Sequence, residues 1–230
     1  MRKILGLLIG FILVLVAVGV VSADQGNKGG KAVTPPFPQP AEKDLQKVVF
    51  IRYAPGKEPK GAKPKPTPTP STACYDFLSG SKPKWNWLEG YRYESSLQTP
   101  SAQAVATWEQ TGGEIFGDGS QGAAQWGVYD LINSISYGDY PEDGVLAVTA
   151  IWFRGKNIYE YDIMFDIDYF PNQGFDLDTV ALHEFGHGAG LDDLYNSVCQ
   201  AEVMYGYLGA GEEKTSLGSG DTIGIKTLYQ

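Results

Sequence analysis

The chain contains two histidines, His183 and His187, four residues apart around a glutamate in "HEFGHGAGLDD", residues 183–193. On a helix, positions i and i+4 project from one face a turn apart, so both imidazoles can reach one metal ion at about 2.0–2.1 Å per nitrogen. Glu184 follows the first histidine and points beside that ion, where it can take a proton from a metal-activated water. A catalytic zinc site normally has three protein ligands, and there is no third histidine. A carboxylate must complete the set. Gly190 can adopt the left-handed conformation that ends a helix and turns the chain back, which returns Asp192 and Asp193 toward the metal. Spacing alone does not choose between them. The competing reading is a pair of core histidines satisfied by hydrogen bonds, with no metal.

Such a site needs a helix to carry it and a sheet to support the helix. Thr99-Pro100 and Gly112-Gly113 bracket one helix, with Ala102, Val105 and Trp108 on one face. The histidine helix starts near Asp176 to Asp178, carries Val180, Leu182 and Phe185, and ends among Gly186, Gly188 and Gly190. A third runs from about Asp221 and presents Ile225, Leu228 and Tyr229. Between the first two helices, Val145 to Phe153 is a continuous apolar run of strand length. Ile158 to Phe170 alternates, with Ile163, Phe165 and Ile167 opposite Asp162, Asp166 and Asp168. Tyr91 to Tyr93 begins another strand. The order predicts an α+β fold with three helices and a twisted, mixed sheet.

Composition divides the chain. Residues 1–23 pair a basic start (Met1-Arg2-Lys3) with an apolar run and the small residues Ser22 and Ala23, the pattern of a secretory signal peptide. The apolar run also approaches bilayer-spanning length, so an uncleaved anchor is the alternative, and membrane contact is expected only in that case. Either way the product is secreted or held at the cell surface. Residues 24–73 are rich in Pro, Lys, Gly and Thr and read as a linker or pro-segment. Within them Lys47 to Tyr53 ("KVVFIRY") is a strand-like island: a pro-segment remnant, a piece that docks on the domain, or a sticky patch in a linker. Residues 74–230 have the length of one domain. The formal net charge of −9 argues against a nucleic-acid partner, which calls for a basic face.

"HEFGHGAGLDD" resembles the metzincin signature H-E-x-x-H-x-x-G-x-x-H, with Asp193 at the third-ligand position. The snapalysins, secreted bacterial metzincins, show the same aspartate. "VMYG" (Val203 to Gly206) resembles the metzincin methionine turn and places Met204 beneath the metal. The surrounding pattern is most similar to the matrixins: "GVLAVT" resembles their substrate-binding edge strand, "YDIMF" the strand after it, and "SGDTIGIKTLY" their C-terminal helix. The resemblance implies a metzincin, matrixin-like zinc endopeptidase with a single catalytic zinc on His183, His187 and Asp193, and Glu184 as general base. A polypeptide substrate would lie along Val145, Leu146, Ala147 and Val148, near Tyr205, and the protein would act as a monomer. The alternative is a non-catalytic, metal-binding cell-envelope or adhesion module on the same fold.

The chain also departs from the family. Val148 stands where matrixins place a histidine for a second, structural zinc, so that ion is not expected. Calcium at Asp118 or at the Asp162–Asp168 cluster competes with solvated carboxylates. The latency motif P-R-C-G-x-P-D is missing. The position two residues after the turn methionine, a tyrosine in some metzincins, is Gly206. Cys74 and Cys199 form an even pair in an exported chain, which favours a disulfide over a thiolate that caps the zinc.

Overall fold

The structure, a computed structural model, describes residues 39–57, 73–122, 125–171, 174–209 and 211–230. The signal-like residues 1–23, together with 24–38 and 58–72 of the Pro-rich region, lie outside them. Among the described residues there are six strands, β1 (Gln46–Tyr53), β2 (Tyr91–Tyr93), β3 (Gly119–Gln121), β4 (Asn133–Gly138), β5 (Val145–Arg154) and β6 (Asn157–Asp166). The helices are α1 (Gln98–Gly112), α2 (Leu177–Gly188) and α3 (Ser219–Tyr229). The result is an α+β fold with one mixed sheet in the order β1-β5-β6-β4-β2-β3.

Continuous apolar sequence makes the sheet's centre. β5 is buried at every position but its last, and it pairs antiparallel with β6 through a tight turn. β6 then pairs parallel with β4, and β4 with β2. The helices cover one face. α1 turns Ser101, Ala104 and Trp108 inward, whereas Ala102 is exposed, so the expected face is rotated. Small residues at 101 and 104 let α1 approach α2, and the Trp108 indole donates to the Leu182 carbonyl at 2.8 Å.

Other expectations also change. β6 ends at Asp166, because that carboxylate accepts the amides of Asp168 (2.8 Å) and Tyr140 (2.9 Å) and turns the chain away. Ile167 is consequently exposed rather than aligned with Ile163 and Phe165. Asp162 and Asp166 are buried acceptors of backbone amides, which corrects the solvated reading for both. α3 starts two residues before Asp221, whose carboxylate reaches back to the Gly218 amide at 2.9 Å. The strand-like island at 47–53 is β1, docked antiparallel on β5 from Gln46 opposite Phe153 to Tyr53 opposite Val145.

Candidate metal centre

α2 begins at Asp176, whose side chain accepts the Thr179 amide at 2.8 Å as an N-cap. It ends in a Schellman motif: the Leu191 amide donates to the Gly186 carbonyl (3.1 Å) and the Gly190 amide to the His187 carbonyl (2.8 Å). Gly190 sits at φ +105°, a conformation that favours glycine. This is the anticipated turn, and it returns the following residues to the helix face that carries the histidines.

His183, His187 and Asp193 form a group whose ligand atoms all lie within 4.8 Å of one another. Asp193 Oδ1 is 3.2 Å from His183 Nε2 and 3.6 Å from His187 Nε2. Each imidazole is oriented by its other nitrogen. His183 Nδ1 lies 2.8 Å from the Val203 carbonyl and His187 Nδ1 3.0 Å from the Leu191 carbonyl. A carbonyl only accepts, so both Nδ1 atoms carry the proton and both Nε2 lone pairs face the cluster. Burial lowers the pKa of both histidines, that of His183 to about 3, and keeps them neutral as metal binding requires. Burial alone would raise Asp193, but His187, His183 and Arg52 hold it below the ordinary carboxylate range. Two neutral imidazoles and one carboxylate fit a zinc ion. Asp192, the other candidate from spacing, instead accepts the Asp193 amide at 2.9 Å.

Glu184 is fully buried and stands outside the ligand group. Its Oε2 accepts from the Thr149 hydroxyl on β5 at 2.6 Å, while Oε1 has no hydrogen-bond partner among the described residues. Burial pushes its pKa up to about 7, with the Arg52 charge and the Thr149 bond opposing. Met204 lies under α2, and a side chain at Gly186 would run into its sulfur. The Leu194 amide donates to the Met204 carbonyl and the Gly206 amide to the Leu194 carbonyl, both at 2.9 Å, so the turn is paired to the ligand loop. Cys74 and Cys199 are joined in a disulfide just before that turn.

The edge of β5 from Val145 to Val148 faces β1: Ile51 lies opposite Val148, Arg52 opposite Ala147 and Tyr53 opposite Val145. Tyr205 lies beside the same groove and accepts from Arg52 Nη1 through its carbonyl at 3.5 Å. Four residues of the centre escaped the sequence reading. Thr149 lay unremarked in "GVLAVT", and Phe50 and Arg52 lay in the strand-like island. Tyr195, whose hydroxyl donates to Asp193 Oδ2 at 3.0 Å, had no signal beyond its nearness to Asp193. Among the described residues, the side chains that gather as a possible metal-holding group are His183, His187 and Asp193.

A helix-borne histidine pair with a carboxylate beside it, on an α+β fold, makes a group that could hold a metal ion. Residues 102–230, more than half of the chain, match the model of the matrixin family (Peptidase_M10). The chain belongs to that family of zinc-dependent peptidases.

Proposed function

We propose that the protein is an exported zinc endopeptidase in which His183, His187 and Asp193 hold the ion and Glu184 is the general base. The observation that carries this reading is the division of labour among four polar groups, the buried His183, His187 and Glu184 and the partly buried Asp193. Three converge with their donor atoms on one point, and the fourth stands beside them with one oxygen uncommitted. When bound, zinc supplies Lewis acidity, lowering the pKa of a water toward about 7 and polarising a carbonyl. Glu184 Oε1 takes the proton of the attacking water and returns it to the nitrogen of the departing strand. The Thr149 hydroxyl holds Oε2, so that the free oxygen keeps one orientation. The Val203 carbonyl fixes His183 from below, and Met204 packs under α2 at Gly186. The polypeptide takes the side of β5 on which β1 lies in the structure, so β1 must yield before backbone hydrogen bonds can align a substrate strand there. Export is supported by the signal-like residues 1–23 and by the oxidised Cys74–Cys199 pair.

The test is metal stoichiometry joined to hydrolysis. Purified protein should carry equimolar zinc and cleave casein, with loss on chelation and recovery on re-addition. Asp193→Ala should lose the ion and Asp192→Ala should keep it. Equal zinc content in the two variants sinks the assignment of Asp193.

A further inference from the structure

β1 lies where a substrate strand would lie, and its inward side chains enter the metal centre. Phe50 and Arg52 are both buried on the α2 side. The Phe50 ring stacks on His187, centroids 3.8 Å apart and planes 8° from parallel. Arg52 runs between the β5 edge and the segment after Met204, where Nη1 donates to the Tyr205 carbonyl. Glu184, Asp193, Tyr195 and Glu212 all favour its charged form, against a larger desolvation by burial. Glu212 and the Tyr205 carbonyl are not metal ligands, so they remain available to a guanidinium with the ion bound.

The outward side chains are anchored as well. Ile51 and Tyr53 pack against Val145, Val148 and Met164. Lys47 donates to the Gly127 carbonyl at 2.8 Å and lies over the Trp152 ring. The Ala54 amide extends the pairing to the Gly144 carbonyl at 2.7 Å. The docking is nonetheless incomplete at its most costly point. Arg52 Nε and Nη2 are buried with no hydrogen-bond partner among the described residues, and an unsatisfied buried donor costs about 1–3 kcal/mol. A strand held by many contacts but strained at its charged anchor is one that a competing strand can displace.

We propose that β1 is the resident ligand of the substrate groove. The β5 edge and the metal centre bind an extended polypeptide that sets an aromatic side chain on His187 and, two residues later, a basic side chain beside Tyr205 and Glu212. The segment Phe50-Ile51-Arg52 holds this site against other polypeptides. The inference rests on the peptidase reading and adds to it a substrate class and an internal competitor. No thiol takes part, since Cys74 is committed to its disulfide.

The experiment uses the zinc-loaded full chain. Arg52→Glu sets a carboxylate against Glu184, Asp193 and Glu212 and should drive β1 off the edge; circular dichroism and the Cys74–Cys199 linked peptide report retention of the fold. Three quantities are read: hydrogen exchange of the 145–153 amides, casein hydrolysis, and binding of a fluorescent synthetic peptide of residues 44–55. In the variant, exchange and hydrolysis should both rise by about tenfold or more. The peptide should bind the variant and not the wild type. It should also bind about tenfold tighter than the same peptide carrying Phe50→Ala and Arg52→Ala. Ala54→Pro, which removes the amide that donates to the Gly144 carbonyl, opens the edge by a second route. Equal binding of the two peptides, or binding to wild type as tight as to both opened variants, overturns the proposal. So does cleavage of the wild-type chain within residues 46–53, which would make β1 a substrate. If no variant cleaves casein while the peptides behave as expected, the peptidase reading fails and the groove assignment stands.

Discussion

The metal centre lies between a floor and a roof that are built differently. In the floor, buried charges meet matched partners. The Asp221 carboxylate accepts the amides of Val203 (2.6 Å), Met204 (3.1 Å) and Gly218 (2.9 Å). Glu202 accepts those of Gly220 and Asp221, and Lys214 donates to the carbonyls of Gln200 and Glu202. The Cys74–Cys199 disulfide closes the same region. In the roof, β1 brings a guanidinium over the centre, and two of its nitrogens have no hydrogen-bond partner among the described residues. A matched network fixes geometry, whereas a half-matched one is open to exchange. The matched floor holds the Val203 carbonyl that orients His183, and the half-matched roof is the side on which our proposal places strand exchange.

The largest effect falls on the residue between the two regions. In the zinc-loaded Arg52→Glu chain, Glu184→Ala should keep the metal while casein hydrolysis falls by about 10²–10⁴. Loss of zinc with the activity would make Glu184 a ligand and dissolve the division of labour. Asp221→Ala is the sharper test of the floor. It strips the acceptor from three backbone amides, and destabilisation of about 3 kcal/mol or more is expected in urea unfolding. His183 should loosen too, because its orienting carbonyl belongs to Val203. Stability within about 0.5 kcal/mol of wild type would show that the floor's order resides elsewhere.

Tyr195→Phe is a smaller change to the ligand loop. It removes the hydroxyl that holds Asp193 Oδ2 and leaves the ring, which fills the space beside Gly206. With Asp193 as the ligand we propose, removing such a partner costs about 10–100-fold in affinity. Competition with a fluorescent zinc chelator reads the loss, and the visible spectrum of the cobalt-substituted protein should shift with it. Unchanged affinity and spectrum would mean that Asp193 needs no external orientation.

The sequence was most legible where one residue type has few alternatives. Two histidines and a glutamate at helical spacing leave little choice of chemistry, and Gly190 told where the helix must turn back. The apolar run of β5 could be read for the same reason, since nine buried positions in succession have no other use in a chain of this kind. β3 and β4 could not. "GSQ" has no apolar residue and "NSISYG" alternates only through Ile135 and Tyr137, and the second is buried largely through polar side chains that serve the backbone: Asn133 accepts the Tyr161 amide and donates to the Gly90 carbonyl, each at 2.9 Å. The role of Phe50 and Arg52 was equally hidden. Their strand was visible as a strand, but its address on β5 is set by partners far along the chain. The nearness of Asp193 to the two imidazoles depends on the backbone path after Gly190, which spacing leaves open.

The smallest expected effect concerns the support of the roof. Lys47 of β1 reaches the Gly127 carbonyl, and the loop around Gly127 is tied down by two buried carboxyls of β6. Asp162 accepts the amides of Gly127 and Ser134, and Glu160 those of Asp130 and Leu131. Burial raises both pKa values to about 8, reinforced by Asp162 for Glu160 and by Asp130 for both, while the donated amides pull the other way and Lys47 lowers Asp162. Because the folded values lie above the ordinary ones of 4.5 and 3.8, the fold favours the protonated forms. Their contribution is complete below the ordinary carboxylate range and is lost as pH rises through about 8. Glu160→Gln keeps a carbonyl acceptor for the loop and removes one of the two titrations. Between about pH 6 and 9 the wild-type unfolding temperature should therefore fall more steeply than that of Glu160→Gln. Exchange of the β5 edge amides should quicken over the same interval in the wild type, since the loop that holds Lys47 loosens with it. Parallel melting curves, with edge exchange equal in the two proteins after correction for intrinsic rates, would show that this loop does not govern how firmly β1 is seated.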